Sequence, residues 1–294
     1  LLAHMRRAAA QGIAVLFISH RMDEIFEHTD EIAVMRDGRV VGRGASASFS
    51  PATLIEMMGM VEAPAATGSR RAAGADAPAR VREGEFQAPR GCIVGLAGLD
   101  GHGQRQLLHR IFEAGRAPAR GGPSVDGTVA YVAGDRQAMG IFPLWSIVRN
   151  ISSGLRGSLV RRGVVHLGRE RRLAEEWQRR LGIRAPSLQA PITALSGGNQ
   201  QKVLVARAFA RDADIVLLDD PLRGVDVGTK RELYAAIRGA AEAGSTFIWY
   251  TSELAELEHC DIVYVYYMGE VSAVIPHAEL TEQKVLSASF GRTQ

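Results

Sequence analysis

The stretch from Leu195 to Asp226 limits what this chain can fold into more than any other part of it. It opens with Leu195-Ser196-Gly197-Gly198-Asn199-Gln200-Gln201-Lys202 and continues through apolar positions at Val203, Ala206 and Ala210. Ile215-Val216-Leu217-Leu218-Asp219-Asp220 follows, and then Gly224-Val225-Asp226. Ser196 suits a helix N-cap, and the two glycines allow backbone to come close to a ligand. A helix start offers free N–H groups and a partial positive charge, a combination that holds phosphate. Four consecutive apolar residues fit a central parallel strand buried on both faces. Carboxylates at the end of such a strand stand where open α/β sheets bind ligands. An ordinary glycine turn explains Ser-Gly-Gly alone, but not the whole run with the strand behind it.

Upstream, Ile93-Val94-Gly95-Leu96-Ala97 reads as a strand and Gln104 to Phe112 as a helix, with Gly98-Leu99-Asp100-Gly101-His102-Gly103 between them. A Walker A loop closes with Lys and then Ser or Thr. This chain has Gln104 and Arg105 there, and no Lys precedes Lys202. The backbone cradle of Gly98, Gly101 and Gly103 remains, but the point charge on the β/γ-phosphates and the hydroxyl on the metal do not. Further expected elements are helices over 167–182 and 228–243 and a strand over 246–251. Strands alternating with helices argue for a mostly parallel α/β sheet.

Segments 12–26 and 31–41 recur weakly at 244–258 and 261–272. Each copy reads as an apolar strand, a polar residue, a short helix and then a hairpin. The turns are Asp37-Gly38 and Met268-Gly269. In the first copy the strand Val15–Ile18 leads to Ser19-His20; in the second, the matching pair is Thr251-Ser252. Between the copies, 61–80 is rich in Ala, Gly and Pro and reads as a flexible linker. The chain therefore reads as the tail of one unit (1–60), a linker (61–80) and most of a second unit (81–290). It opens without Met, inside a helical stretch, and we take its front to be missing.

Composition excludes some classes. Two cysteines make no disulfide scaffold. No apolar run approaches the ~20 residues that span a bilayer, so a membrane role would come through partners. Net charge is +3 and the sequence pI about 9.1. The arginines of 161–172 alternate with acids and apolar residues along a helix-like stretch, which is the pattern of a solvated face rather than a nucleic-acid surface.

The signature LSGGNQQK and the Walker B strand IVLLDD resemble those of ABC-type ATPases. GGNQQK is similar to the ATPase subunits of monosaccharide importers, the ribose, galactose and xylose group, which carry two cassettes in one chain. That resemblance implies a P-loop NTPase-like α/β domain with a helical subdomain, preceded by the tail of a first cassette. It implies ATP and Mg2+ as cofactors and ATP hydrolysis coupled to sugar uptake. Transmembrane permease subunits, a second cassette or homodimer partner and, indirectly, a substrate-binding protein become the partners. The location becomes the cytoplasmic face of the membrane, and nucleic acid is not a partner. By the same resemblance Asp219 helps hold Mg2+, and Asp220 stands where relatives have the Glu that acts on the attacking water. Asp220 is one methylene shorter; a misplacement of about 1 Å can cost roughly 100-fold in rate.

The resemblance also implies that His20 is the switch residue that meets the γ-phosphate, and Ser252 occupies the matching position in the second copy. By the same resemblance Ser196, Gly197, Gly198 and Gln200 are expected to face the nucleotide of the opposite cassette. Gly98, Gly101, Gly103, Gln104 and Arg105 form the weakened loop, and Asp226 lies in the D-loop or caps the next helix. Tyr131 to Arg136 resembles the segment holding the Q-loop, with Ala133-Gly134 in place of the usual Pro-Glu. Trp145 packs in the core or touches a permease. Because the second cassette keeps its signature and lacks Lys, Glu and His, it is expected to complete the ATP site of the first. A non-catalytic regulatory cassette and an importer ATPase for nucleosides or autoinducer are the alternatives.

Overall fold

The computed structural model describes residues 2–18, 22–36, 39–50, 53–54, 57, 78–117, 120–155, 159–161 and 164–291. They divide into two compact units, one within 1–67 and 226–228, the other within 68–225 and 229–294. The candidate site residue His20, the turn Asp37-Gly38 and linker positions 61–77 lie outside the described residues.

In the first unit, α1 (Leu2–Ala10) and α2 (Met22–His28) accompany an antiparallel pair, β1 (Glu31–Arg36) and β2 (Arg39–Ala45). Ile32 and Val34, two apart on β1, turn to the same side and pack with Leu54, Ile25, Phe26, Phe49 and Met57. The expected strand Val15–Ile18 does not form; Leu16 is 93% and Ile18 89% exposed. A parallel strand needs neighbours to hydrogen-bond, and among the described residues none pairs with this segment.

The second unit holds β3 (Ala79–Glu83), β4 (Phe86–Pro89), β5 (Ile93–Gly98), α3 (Gln104–Ala114), β6 (Ser124–Val125), β7 (Val129–Val132) and α4 (Ile147–Ser152). Next come β8 (Val160–Arg161), β9 (Val164–Val165), α5 (Leu167–Arg180), α6 (Gly197–Phe209), β10 (Ile215–Asp219) and α7 (Val227–Glu242). It closes with β11 (Thr246–Tyr250), β12 (Ile262–Tyr267), β13 (Glu270–Pro276) and α8 (Glu282–Ser289). One expectation needs correction. Residues 79 and 80 belong to β3 rather than to a linker, with Arg80 paired to Asp214 at 2.9 Å. Residues 160–161 pair with 164–165 as β8 and β9, and the helix starts at Leu167, the start expected for it.

The central sheet runs β13-β12-β5-β11-β10-β7, parallel except for the edge strand β13. Each central strand is apolar on both faces because each face has a core to fill. Val216 and Leu218 of β10, Phe247 and Trp249 of β11, and Val263 and Val265 of β12 enter one core with α6 and α7. Their neighbours Ile215, Leu217, Ile248, Tyr250 and Tyr264 enter the other, with α3 and the antiparallel sheet β4-β3-β6. The period of two thus shows as a division of each strand between two layers. The repeat survives in shape: β12–β13, like β1–β2, pairs with one register shift and leads into a 3-10 turn. In the second hairpin Met268 and Gly269 both have positive φ, 49° and 92°, as a tight primed turn requires. Among the described residues no helix is long and apolar enough to cross a membrane.

Candidate nucleotide site

The sheet gathers four segments at the C-terminal ends of its parallel strands: the loop after β5, Asp219-Asp220 after β10, Tyr250 to Ser252 after β11, and Ala133-Gly134 after β7. The loop after β5 is Gly98 to Gly103, with φ of 127° at Gly98, 84° at Gly101 and 111° at Gly103. A Cβ on Gly98 would stand 2.3 Å from the Tyr266 carbonyl oxygen and 2.5 Å from Gln104 Nε2. Gly98→Ala is therefore expected to cost about 3 kcal/mol through strain and overpacking; urea unfolding checks it. His102 lies edge-on to Tyr267, and its carbonyl accepts from Gly269 N–H at 3.1 Å, tying the loop to the β12–β13 turn.

Gln104, at the position of the missing Lys, is buried and points inward. Its Nε2 donates to Ala97 O at 3.1 Å and Leu99 O at 3.2 Å, bracing the loop from within. The loop's own carbonyls thus take both donors of its amide nitrogen. Arg105 Nε donates to Asp219 Oδ1 at 3.0 Å and Nη1 to Asp100 Oδ1 at 3.2 Å, and its guanidinium lies 5.0 Å over the Tyr250 ring. Tyr131 Oη donates to Asp219 Oδ2 at 2.8 Å. Burial pulls the Arg105 pKa down, but the hydrogen bond and charge of Asp219 outweigh it and leave it raised. Burial first, and then Asp219, push Tyr131 up, so it stays a donor.

These residues do not fit a divalent cation. Magnesium takes a near-octahedral set of oxygens. Here the usual hydroxyl is replaced by Arg105, and both oxygens of Asp219 are engaged.

Asp220 adopts a left-handed conformation at φ 47° and is buried. Its N–H donates to Tyr250 O at 2.7 Å, while Oδ1 and Oδ2 accept from Ser252 N at 3.2 Å and Ser252 Oγ at 2.8 Å. The residues at the base and switch positions thus bond to each other, each oxygen of Asp220 accepting one hydrogen bond from Ser252. Behind them, Thr251 Oγ1 donates to Glu256 Oε2 at 2.6 Å, and Lys230 Nζ reaches Glu253 and Glu256 at 2.6 and 2.7 Å. At Gly134 a Cβ would meet Asp219 O at 2.4 Å, so the backbone closes the space a Q-loop side chain would occupy.

The signature loop lies apart from this cluster in its bonding. Ser196, exposed, precedes α6 with φ −61° and ψ 158°, and its Oγ accepts from Asn199 Nδ2 at 2.9 Å. Gly197 packs beside the Arg136 guanidinium. Gln200, expected to meet a nucleotide, turns inward instead, its Nε2 donating to Leu195 O at 3.1 Å and its Oε1 accepting from Gln137 at 3.2 Å. Asp226 directly precedes α7, the position of a helix cap.

Two contributors had no local signal. Asn150, fully buried, donates to the carbonyls of Phe142, Trp145 and Ser146 and accepts from Phe142 N and Arg207. Arg207, whose pKa burial lowers to about 10, also bonds Gly140 O, so the pair fixes the 140–146 loop. That loop stacks a half-buried Trp145 on Phe142 at 4.5 Å and leaves Leu144 94% exposed.

The ABC transporter family model matches residues 81–223. The ribose import ATP-binding protein of a Ruegeria species is 34% identical over 99% of this chain, and one from Rubrobacter xylanophilus is 34% identical over 98%. The chain spans 62% of the length of each. Among solved structures, an ATP-binding cassette dimer in a post-hydrolysis state with ADP and Pi superposes with a TM-score of 0.56 at 21% identity, over 65% of this chain and 88% of that one. A second dimeric structure of a bacterial ABC transporter cassette gives 0.53 at 20% identity, again over 65% and 88%. The sheet, its loop and the comparisons agree: residues 81–223 match the ABC transporter family, and nearly the whole chain is similar to ribose import ATP-binding proteins.

Proposed function

We propose that this chain is the ATP-binding component of a monosaccharide importer, and that it serves nucleotide through its signature loop rather than its own glycine loop. One contrast carries the reading. Ser196-Gly197-Gly198 stands open at the start of α6, whereas Gln104, Arg105, Asp219 and Asp220 are bonded within the protein. A first cassette, with its own Walker A and a switch histidine such as His20, would hold ATP against that loop, and Mg2+ is assigned to that ATP. The names of the ribose import relatives support the substrate class. The exposed Met139, Phe142 and Leu144 offer an apolar surface for a transmembrane permease subunit at the cytoplasmic face of the membrane. A substrate-binding protein would act through that permease.

Asp220→Asn tests the division of labour in protein paired with its first cassette. Hydrolysis is expected to stay within about 2-fold of wild type, because Asp220 is bound to Ser252; a base at work would show a loss of about 100-fold or more. The second reading, a regulatory cassette that closes on ATP without aiding hydrolysis, is favoured by the same internal bonding, and the substitution of Ser196 discussed below separates the two.

A further inference from the structure

We infer that the Arg105 guanidinium takes the place of the divalent cation in this cassette's own site, so that its glycine loop and Asp219 exclude metal whether or not nucleotide is bound. The inference rests on reading 98–105 and Asp219 as the two halves of a nucleotide site, and it concerns what that site refuses. Arg105 is the residue after Gln104, where the family motif puts the metal-binding hydroxyl. Its Nε meets Asp219 Oδ1 at 3.0 Å, and the opposite oxygen accepts from Tyr131 Oη at 2.8 Å. One fixed positive charge therefore offsets the Walker B carboxylate.

Three contacts hold that charge: Asp219, Asp100 at 3.2 Å, and the face of Tyr250 at 5.0 Å. The Asp219 side chain is only 6% exposed, so little of it is open to a cation while Arg105 is in place. A guanidinium has donors and no acceptor, and it stays charged. It can neutralise the carboxylate but supplies no oxygen to a metal shell. The Arg105 side chain is 40% exposed, and guanidinium groups also bind phosphate, so the exchange keeps a positive charge at the mouth of the loop.

The test uses Fe2+ as a probe that cuts backbone beside a bound metal. The full chain, with and without ATP, is mixed with Fe2+, ascorbate and peroxide, and cuts are mapped by mass spectrometry. Wild type is expected to show no cut above background at 98–105 or 219–220. Arg105→Ser is expected to gain about 10-fold more cleavage there. Tyr131→Phe, which keeps Arg105, is expected to stay uncut. A cut in wild type at Asp219, or a folded Arg105→Ser that stays uncut, overturns the proposal. Should Arg105→Ser fail to fold, Arg105→Gln is judged by the same two outcomes. A failure of the import reading leaves the cleavage pattern unchanged, so the two stand or fall separately.

Discussion

Replacing Ser196 with Asp is expected to reduce ATP hydrolysis by about 100-fold or more, in protein paired with its first cassette, because removing one preorganised donor facing phosphate already costs about that much. The substitution separates function from folding. Aspartate caps a helix as well as serine does and is favoured by the helix dipole. Ser196 is exposed and its hydroxyl bonds only to Asn199 Nδ2 among the contacts seen here. Thermal unfolding should therefore move by no more than about 0.5 kcal/mol. The added carboxylate, however, would face a γ-phosphate and repel it. Unchanged hydrolysis in the folded variant would remove the signature loop from the mechanism and leave the regulatory reading.

Lys230→Met is expected to destabilise the second unit by about 3 kcal/mol, since removing one partner of a buried ion pair leaves the other charge uncompensated. The stranded group is Glu256, 1% exposed, with Glu253 beside it. Burial pulls the Lys230 ammonium down, but hydrogen bonds and charge from Glu253 and Glu256 outweigh it and raise it above 10.5. Its contribution to stability is thus fully present below pH 10.5 and is lost as pH rises through the higher folded value. The variant should lose that alkaline-side dependence. Urea unfolding at neutral pH and near pH 11 measures both effects, and a cost below about 1 kcal/mol, the level of exposed pairs, would show the network to be solvated. The same change loosens Thr251, which shares Glu256, and with it the Ser252 that grips Asp220.

Much of the fold was legible because its signals are local. The apolar run Ile215 to Leu218 became a strand buried on both faces, and the Ser196-Gly197-Gly198 turn opened α6. Val15 to Ile18 has the same composition as a central strand and yet makes none, because strand formation depends on neighbours that composition does not supply. Gln200 shows the same limit within the signature: its neighbours Ser196 and Gly198 sit at the helix start, but the helical turn carries its own side chain inward to the carbonyls of Ile192 and Leu195.

By itself, the order of residues determined the family that the chain resembles, the parallel α/β sheet, and the absence of a Lys and a hydroxyl from the glycine loop. It did not determine what fills their places. Arg105 meets Asp219 across 114 positions, Tyr131 meets it across 88, and Ser252 meets Asp220 across 32. Those bonds exist because parallel pairing of β5, β11, β10 and β7 brings four strand ends to one edge of the sheet. Once gathered there, buried carboxylates must find donors, and the nearest donors are this chain's own arginine, tyrosine and serine.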